Sequence, residues 1–372
     1  MLARGIQCRV LDTSAVCHPK AVQQVHGFDI PEGVIHHRIT SEAELEQHRA
    51  DLSEVDWIVC HVTNGLVTPN NYPVMKWISR SGKPYILLCH NSVPGSANYR
   101  GSPSQFHLRM RNAIQRIPGL SLKASLIARL PLWLLGLRPA ALVVRGGRKS
   151  VVPQRLISST TRTLWAHSTD YDLALSAGLD PVSVDTAVFI DQYLPFHMDW
   201  TLVKDFNGID PDNYYGGLRI LFGRIEQEFG LKVVVAAHPK SDYCGKEHLF
   251  GDRDITFGRT TEEIRRSKLV ITSTSQAISS AIIYGKPVLI YSTRDHHCHP
   301  VVWRYLDPIC DELGKKLFFL ENSKDANISG SLAINQDKYD EYIGNHVKVP
   351  ESPVTPLWDI VIDELESMGT QQ

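Results

Sequence analysis

Residues 231–240 read LKVVVAAHPK, and this stretch decides the fold. A continuous apolar run of this kind predicts a β-strand that is buried on both faces, as in a parallel sheet covered by helices. Ligands of such sheets bind beyond the carboxyl ends of the strands, which is where His238 stands. Pro239 lacks an N–H and restricts the backbone, so we expect it to hold His238 in one orientation. The stretch therefore predicts an α/β fold with a ligand site at His238.

A second strand ends in hydroxyl residues about 35 residues further along the chain. Residues 268–272 predict the strand, and residues 276–284 predict a helix that follows it. The turn between them consists of Ser273, Thr274 and Ser275. Hydroxyls at a helix start cap its N–H groups, and that end of a helix attracts anions. Each motif by itself is explained by capping, but His238, Lys240 and the turn together predict a phosphate site.

The same alternation of strands and helices runs along most of the 372 residues. Strands are predicted at residues 8–11, 57–62, 85–90, 141–145, 163–167, 187–191, 232–237, 268–272, 287–291 and 316–320. This pattern predicts two Rossmann-like domains. A helix end and a proline turn at residues 178–183 favour a boundary there, which gives domains 1–182 and 183–372.

The charge is unevenly distributed along the chain, although its net value is only −1. Residues 57–169 contain no Asp or Glu but fifteen Lys and Arg, so the remainder sums to −16. Residues 105–137 predict a basic helical insertion, either a solvated cationic face or a helix attracted to anionic lipid. No apolar run has the ~20 residues needed to span a bilayer. The basic tract lacks interleaved aromatic residues, so nucleic acid is not an expected partner.

The two motifs, with the helix that ends in Gly285-Lys286-Pro287, resemble a known group of proteins. They are similar to the C-terminal half of bacterial GT-B glycosyltransferases that use CMP-activated sugars, including sialyltransferases and Kdo transferases. Residues 167–172 and 189–197 also resemble surface-polysaccharide proteins of this group, and the resemblance covers about residues 140–295. The resemblance implies the GT-B architecture, in which two Rossmann-like domains face a cleft. It also implies that His238 contacts the donor phosphate and that residues 273–275 hold the phosphate or nucleotide. The acidic motif that carries the sialyltransferase base is not found in this chain.

Other polar residues are assigned by their position. Asp170 and Asp172 are the first acids after the basic tract, and either can act as the base that takes a proton from the acceptor, although Asp170 can equally cap a helix. Asp191 and Gln192 end a strand and are expected to bind the donor with Pro239 and Lys240. The acceptor-binding candidates are Gly146, Gly147, Arg148 and Lys149. Residues 294–299 contain three His and one Cys, but in an extended loop these ligands would not converge, so no metal site is expected.

These observations predict a glycosyltransferase that needs no metal or cofactor and takes a sugar from a nucleotide-sugar donor, with CMP and an ulosonic acid such as Kdo as the expected donor. The acceptor would be a surface glycan or a lipid-linked glycan of capsule or lipopolysaccharide synthesis. Two alternatives stay open, a polyol-phosphate transferase of teichoic-acid type and a sugar-nucleotide epimerase. Seven scattered cysteines without CxxC spacing favour the cytoplasm, and the basic half favours the inner face of the bacterial membrane.

Overall fold

The computed structural model describes residues 1–18, 30–63, 65–95, 127, 130–151, 154–197 and 208–369. The chain divides into two compact units. The first unit contains Met1–Asn91, Ser104–His167 and Glu351–Gln372, and the second contains Ser92–Pro103 and Ser168–Pro350. Each unit is built on parallel strands, as the alternating sequence pattern predicts.

The first unit has two parallel sheets. Its strands are β1 (Cys8–Asp12), β2 (Val34–Arg38), β3 (Ile58–Cys60), β4 (Tyr85–Cys89), β5 (Leu142–Arg145) and β6 (Arg162–Trp165), and its first helices are α1 (Ser14–Cys17), α2 (Glu42–Gln47), α3 (Arg49–Glu54) and α4 (Tyr72–Arg80). Strands β1 and β2 pair with each other, and the larger sheet has the order β3-β4-β5-β6. Short 3₁₀ turns occur at Leu2–Arg4 and Arg148–Ser150.

The second unit has one six-stranded sheet. Its strands are β7 (Thr186–Ile190), β8 (Lys232–Ala236), β9 (Ile255–Thr256), β10 (Leu269–Thr272), β11 (Val288–Ser292) and β12 (Phe318–Phe319). The order β12-β11-β10-β7-β8-β9 places β7 between β8 and β10. Sequential strands thus start at the centre and move outward in both directions, which requires crossover helices on both faces.

The helices of the second unit cover both faces of this sheet. They are α5 (Thr169–Ala177), α6 (Pro211–Phe229), α7 (Thr260–Arg266), α8 (Ile278–Ile283), α9 (Arg294–Cys298), α10 (Pro300–Leu313) and α11 (Gln336–Tyr342), with 3₁₀ turns at Leu194–Phe196, Glu247–Phe250, Leu320–Asn322 and Ser329–Ser331 and a π-helix at Ile343–Val347. Alternate residues of β7 enter different cores. Phe189 packs with Phe222 of α6, whereas Val188 packs with Ile278 of α8. Burial on both faces explains why this strand reads as a continuous apolar run.

The last helix, α12 (Leu357–Gly369), belongs to the first unit rather than the second. Its residues Leu357, Ile360 and Val361 pack against Ile86 of β4 and Val144 of β5. The helix therefore covers one face of the β3-β4-β5-β6 sheet. The sequence assigns this segment to the second domain, because no local signal indicates that the chain crosses back.

The division between the units also differs from the predicted boundary at residues 178–183. It falls between His167 and Ser168, so that α5 lies in the second unit. The Tyr284 hydroxyl donates to the carbonyls of Ala174 and Gly178, 3.4 and 3.1 Å away, and Ala174 is buried in the second core. The turn after Gly178 thus joins α5 to β7 inside one unit instead of linking two domains.

All ten predicted strands are present, with ends that differ by one or two residues. The short strands β2 and β9 were not predicted, because β2 carries two histidines and an arginine in five residues and β9 has only two residues. The predicted basic insertion at residues 105–137 lies outside the described residues except for residue 127 and residues 130–137. In the part of the chain that is described, no helix is both long and apolar enough to cross a membrane.

Candidate functional site

Three strands of the second unit end side by side. The register pairs Ile190 of β7 with Ala236 of β8, and Phe189 of β7 with Ile271 of β10. Because all three strands are parallel, the residues that follow them lie along one edge of the sheet. Asp191, His238 and Ser273 follow β7, β8 and β10 within two residues. The sequence predicted this convergence.

Asp191 joins the ends of β7 and β8 through hydrogen bonds to its carboxylate. Its Oδ1 accepts from the Tyr193 N–H at 2.9 Å, and its Oδ2 accepts from the Tyr243 hydroxyl at 2.7 Å and from the His238 N–H at 3.3 Å. Burial raises the pKa of this carboxyl, against the lowering effect of the donors, among which Tyr243 is the strongest. The sequence assigns Asp191 to donor binding. In the structure the residue is only 3% exposed, and its carboxylate accepts hydrogen bonds from three protein groups. The Asp191 carboxylate therefore links the loop after β7 to the turn after β8.

The backbone after Asp191 adopts an unusual conformation. Tyr193 has φ 52° and ψ 33°, the left-handed region that non-glycine residues seldom occupy. Its N–H is held by Asp191, and its ring meets the ring of Tyr243 edge-on, with centroids 5.4 Å apart. Such a conformation costs of order 1–3 kcal/mol and persists only where the surroundings enforce it. The loop after β7 is thus held in one shape.

The His238 ring has a defined orientation and a defined tautomer. Its Nδ1 accepts the backbone N–H of Lys240 at 3.2 Å, so the proton of the neutral ring is assigned to Nε2. The His238 carbonyl accepts from the N–H of Ser241 at 2.9 Å and from its hydroxyl at 2.7 Å, and the His197 ring packs edge-on at 5.1 Å. The turn after β8 therefore holds a His238 ring whose neutral form carries its proton on Nε2. Pro239 and the Lys240 side chain are exposed on the same turn.

Gln192 binds the hydroxyl turn instead of pointing away from it. Its Nε2 donates to Thr274 Oγ1 at 2.9 Å, and its Oε1 accepts the Thr274 N–H at 2.8 Å. This reciprocal pair ties the end of β7 to the end of β10. The hydroxyl and the N–H of Thr274, a residue that the sequence assigns to nucleotide-sugar binding, thus both form hydrogen bonds with Gln192.

Two other hydroxyls, one at the end of β10 and one in the turn that follows it, are buried without a partner among the described residues. Ser273 Oγ and Thr272 Oγ1 have no hydrogen-bond partner among the described residues, and both residues are fully buried. A buried polar group without a partner costs about 1–3 kcal/mol, so it is usually matched by water or a ligand. Ser275 differs, because its Oγ accepts the Ala277 N–H at 3.3 Å. The buried hydroxyls are suited to an oxygen-rich ligand.

The helix after the turn is shorter than predicted. Helix α8 begins at Ile278 instead of residue 276, contains six residues, and its N-cap Ala277 provides no side-chain hydrogen bond. The expected capping of this helix by the serine hydroxyls is therefore wrong, because residues 275–279 first form tighter turns with i to i+3 hydrogen bonds. A helix of less than two turns has only a small dipole.

Asp170 lies in the first turn of α5, where the sequence left its role open. Ser168 is the N-cap, since its Oγ accepts the Tyr171 N–H at 3.3 Å, so the capping role considered for Asp170 is excluded. The Asp170 carboxylate accepts from Ser280 Oγ of α8 at 3.4 Å. Burial raises its pKa to about 6, which suits a group that exchanges protons near neutral pH. Asp172 lies in the same turn and is partly buried.

The raised pKa of Asp170 predicts a pH-dependent effect on stability. A carboxyl whose pKa is higher in the folded chain binds more protons when folded, so folding becomes less favourable as the pH rises from about 4 to about 6. We expect Asp170→Asn to increase the free energy of unfolding by about 1–3 kcal/mol at pH 7.5 and to change it little at pH 4. Urea denaturation at the two pH values measures this difference. Asp172→Asn removes a charge from the same turn, and an equal gain for that control at pH 7.5 would contradict the burial argument.

The acceptor-binding candidates lie in the first unit, after β5. Gly146 and Gly147 are buried, and Arg148 and Lys149 are exposed in the 3₁₀ turn that follows. The Arg145 side chain is buried and donates to the Ser150 carbonyl, which holds this turn against the strand. The arrangement puts exposed cations at the carboxyl end of a parallel strand, where an anionic ligand is expected.

The sequence interpretation missed several residues of these strand ends. Tyr243 and His197 contact Asp191 and His238, and nothing in their local sequence indicates this. His61 and His90 directly follow β3 and β4 in the first unit. The rule that selected His238, a polar residue after a buried strand, would also have selected His90.

Residues 294–299 do not form the extended loop that was expected. They form α9, in which His296 is buried with its Nδ1 3.0 Å from Ser292 Oγ, and burial lowers its pKa to about 3. His297 Nε2 lies 2.7 Å from Asp307 Oδ1. Over the described ranges, no group of three or more His, Cys, Asp or Glu is arranged to hold a metal ion.

We find no sequence-family model and no curated protein that matches the chain. Its fold, however, is similar to those of solved structures. The wall teichoic acid polymerase TagF aligns with a TM-score of 0.51 at 12% identity, over 98% of this chain and 90% of that chain. CalG4, the calicheamicin glycosyltransferase, aligns with a TM-score of 0.50 at 12% identity, over 98% and 91%. The chain therefore has the GT-B type of fold, with two Rossmann-like units, as the sequence predicts.

Proposed function

We propose that the chain is a glycosyltransferase that takes a sugar from a nucleotide-linked donor bound to the second unit. The observation that carries the proposal is the Nε2–H of His238, which is held at the same strand edge as the buried, unpartnered hydroxyl of Ser273. A donor of this kind leaves as a nucleoside phosphate, and its oxygens need hydrogen-bond donors as negative charge develops. An oriented imidazole and a buried hydroxyl supply such donors.

In the proposed reaction, His238 donates to the leaving phosphate and Ser273 binds a second phosphate oxygen. Lys240, exposed on the same turn as His238, adds a positive charge near them. Asp170 is the candidate base for the acceptor hydroxyl, because its pKa of about 6 leaves most of the carboxyl ionised at neutral pH. Arg148 and Lys149 of the first unit are the candidate contacts of an anionic acceptor. In this proposal, His238, Ser273 and Lys240 relieve the negative charge that develops on the leaving phosphate, so no metal ion is required there.

The choice of donor rests on the sequence resemblance. It favours a CMP-linked ulosonic acid such as Kdo and a surface glycan of capsule or lipopolysaccharide synthesis as acceptor. The leaving group would then be CMP, whose single phosphate needs fewer donors than a diphosphate. His238 and Ser273 provide a small set of donors that suits one phosphate group.

A second candidate is polyol-phosphate transfer of the teichoic-acid type. It is favoured by the similarity to the wall teichoic acid polymerase TagF over nearly the whole of both chains. The same His238 and hydroxyl turn would then bind the donor, but the transferred group would keep a phosphate. Mass analysis of the product distinguishes the two. Transfer from a CMP-sugar adds a sugar to the acceptor and releases CMP, whereas polyol-phosphate transfer from a nucleoside-diphosphate donor adds the polyol with one phosphate and releases the nucleoside monophosphate.

Titration calorimetry with CMP, CDP, UDP and GDP tests the donor site. We expect one of these nucleotides to bind with a Kd in the micromolar to millimolar range and His238→Ala to weaken binding about tenfold, the loss of one charge-assisted hydrogen bond. His248→Ala removes an exposed histidine of the same unit and is the matched control. The proposal fails if no nucleotide binds, or if His238→Ala binds as tightly as His248→Ala.

A further inference from the structure

Residues 131–137 of the first unit form a hydrogen-bonded, largely apolar turn. The Leu134 and Leu135 N–H groups donate to the Pro131 carbonyl at 3.1 and 3.3 Å, and the Leu137 N–H donates to Leu132 at 2.9 Å. Leu135 and Leu137 are buried in the core, and the Tyr72 hydroxyl donates to the Leu135 carbonyl at 2.9 Å. The base of this turn is thus anchored by packing and by hydrogen bonds.

The outer face of the same turn consists of two large apolar side chains. Trp133 is 74% exposed and Leu134 is 53% exposed, and Trp133 has the highest exposure of any large hydrophobic residue in the described chain. Leu135 and Leu137 of the same turn occupy the core, so Trp133 and Leu134 lie on the outside of the unit. Tryptophan combines an apolar ring with an N–H donor, and it is enriched where proteins meet the interface of a bilayer.

Two cations, Lys76 and Arg138, lie near the base of this turn. The Cε of Lys76 would lie 3.8 Å from a β-carbon on Gly136, and the exposed Arg138 guanidinium donates to the Lys83 carbonyl at 2.9 Å. Arg80 is exposed one helical turn after Lys76 and lies 3.8 Å from Glu46 of α2, which partly offsets its charge. No Asp or Glu occurs in residues 57–169, so the turn and α4 themselves are purely basic. The exposed apolar side chains of Trp133 and Leu134 thus lie in a part of the surface that also carries the cations Lys76 and Arg138.

We propose that this turn docks the protein on an anionic phospholipid bilayer. Trp133 and Leu134 enter the interfacial layer, and Lys76, Arg80 and Arg138 contact the lipid phosphates. Two exposed apolar residues provide far less than the roughly 800 Å² per partner of a specific protein interface. They are sufficient at a bilayer, where cations add attraction to anionic lipid and lipid contacts need no matching shape. The inference does not depend on the identity of the donor.

Co-sedimentation of the full chain with vesicles tests this docking surface. We expect wild type to bind vesicles of phosphatidylcholine with 30% phosphatidylglycerol at low salt, and to bind pure phosphatidylcholine or high-salt samples at least about tenfold more weakly. Trp133→Ala with Leu134→Ala should weaken binding about tenfold, and Arg138→Gln about fivefold, near the effect of one basic residue. Phe257→Ala, which removes a 54% exposed aromatic ring in the second unit, should bind like wild type.

Two results would overturn the proposal. One is wild type that stays in solution with anionic vesicles at low salt, and the other is a double variant that binds as tightly as wild type. Equal melting temperatures of the variants show that a loss of binding is not a loss of folding. Nucleotide calorimetry of the double variant without vesicles keeps this question separate from the donor site, since donor binding should be unchanged.

Discussion

His238→Ala is expected to lower kcat for sugar transfer by roughly 10²- to 10⁴-fold, the usual range for a positioned proton or hydrogen-bond donor. The physical reason is that the Lys240 N–H occupies Nδ1, so Nε2–H is the donor that the ring offers to a leaving phosphate. Because charge on that phosphate grows in the transition state, the loss should appear mainly in kcat. Steady-state kinetics with the donor identified by calorimetry measures it.

Two further variants separate this role from a structural one. His238→Gln retains a side-chain N–H and should recover part of the lost rate, whereas His248→Ala should have wild-type activity. A rise in KM with unchanged kcat for His238→Ala would mean that His238 binds the ground state only. A shared loss of thermal stability by His238→Ala and His238→Gln would instead point to the turn that Ser241 and Lys240 build around the ring.

Asp191→Ala is expected to lower the free energy of unfolding by roughly 2–5 kcal/mol, because it leaves the buried Tyr243 hydroxyl and the backbone N–H groups of Tyr193 and His238 without their acceptor. The Tyr193 backbone, which this carboxylate holds in the left-handed region, should then relax. Donor binding should fall as well, since the His238 turn loses its link to β7. Urea denaturation and calorimetry on the same samples measure both effects.

Asp191→Asn keeps one oxygen acceptor and removes the buried charge, but its NH2 group faces the N–H of Tyr193 or of His238, so it should recover only part of the stability lost by Asp191→Ala. Asp242→Ala is the matched control, because that exposed carboxylate accepts one backbone N–H, from Cys244, at 3.2 Å. A coupling energy between Asp191→Ala and Tyr243→Phe near zero would contradict the contact argued above. Donor binding by Asp191→Ala that matches wild type would show that the carboxylate does not position His238.

The strand edge of the candidate site could be predicted because its signals are local. The run before His238 and the run before Ser273 are short, largely apolar and rich in β-branched residues, a pattern typical of a strand buried on both faces. Parallel pairing then puts their last residues on one edge without further information. The first residue of α8 was predicted less accurately, because Ser275 and Ala277 are compatible with either a helix cap or a turn.

The roles of the polar side chains could not be predicted in the same way. Asp191 reads as an exposed ligand-binding residue after a strand, yet Tyr243 and the His238 N–H fill its acceptor positions. Gln192 likewise pairs with Thr274, 82 positions away. A carboxylate or amide has the same local sequence signature in both roles, because the difference lies in partners that other strands bring to it.

Sequence by itself determined the ten predicted strands, the α/β class and the position of His238 and of the hydroxyl turn after the carboxyl ends of two strands, since hydrophobic periodicity and chain direction are local properties. Only the tertiary structure decided that α5 joins the second unit, that α12 returns to cover the first sheet, and that Asp191 holds the His238 turn. These outcomes depend on which apolar faces and which hydrogen-bonding groups meet across long sequence separations. Free energy from such contacts is gained only in the folded chain, and no short stretch of residues encodes it.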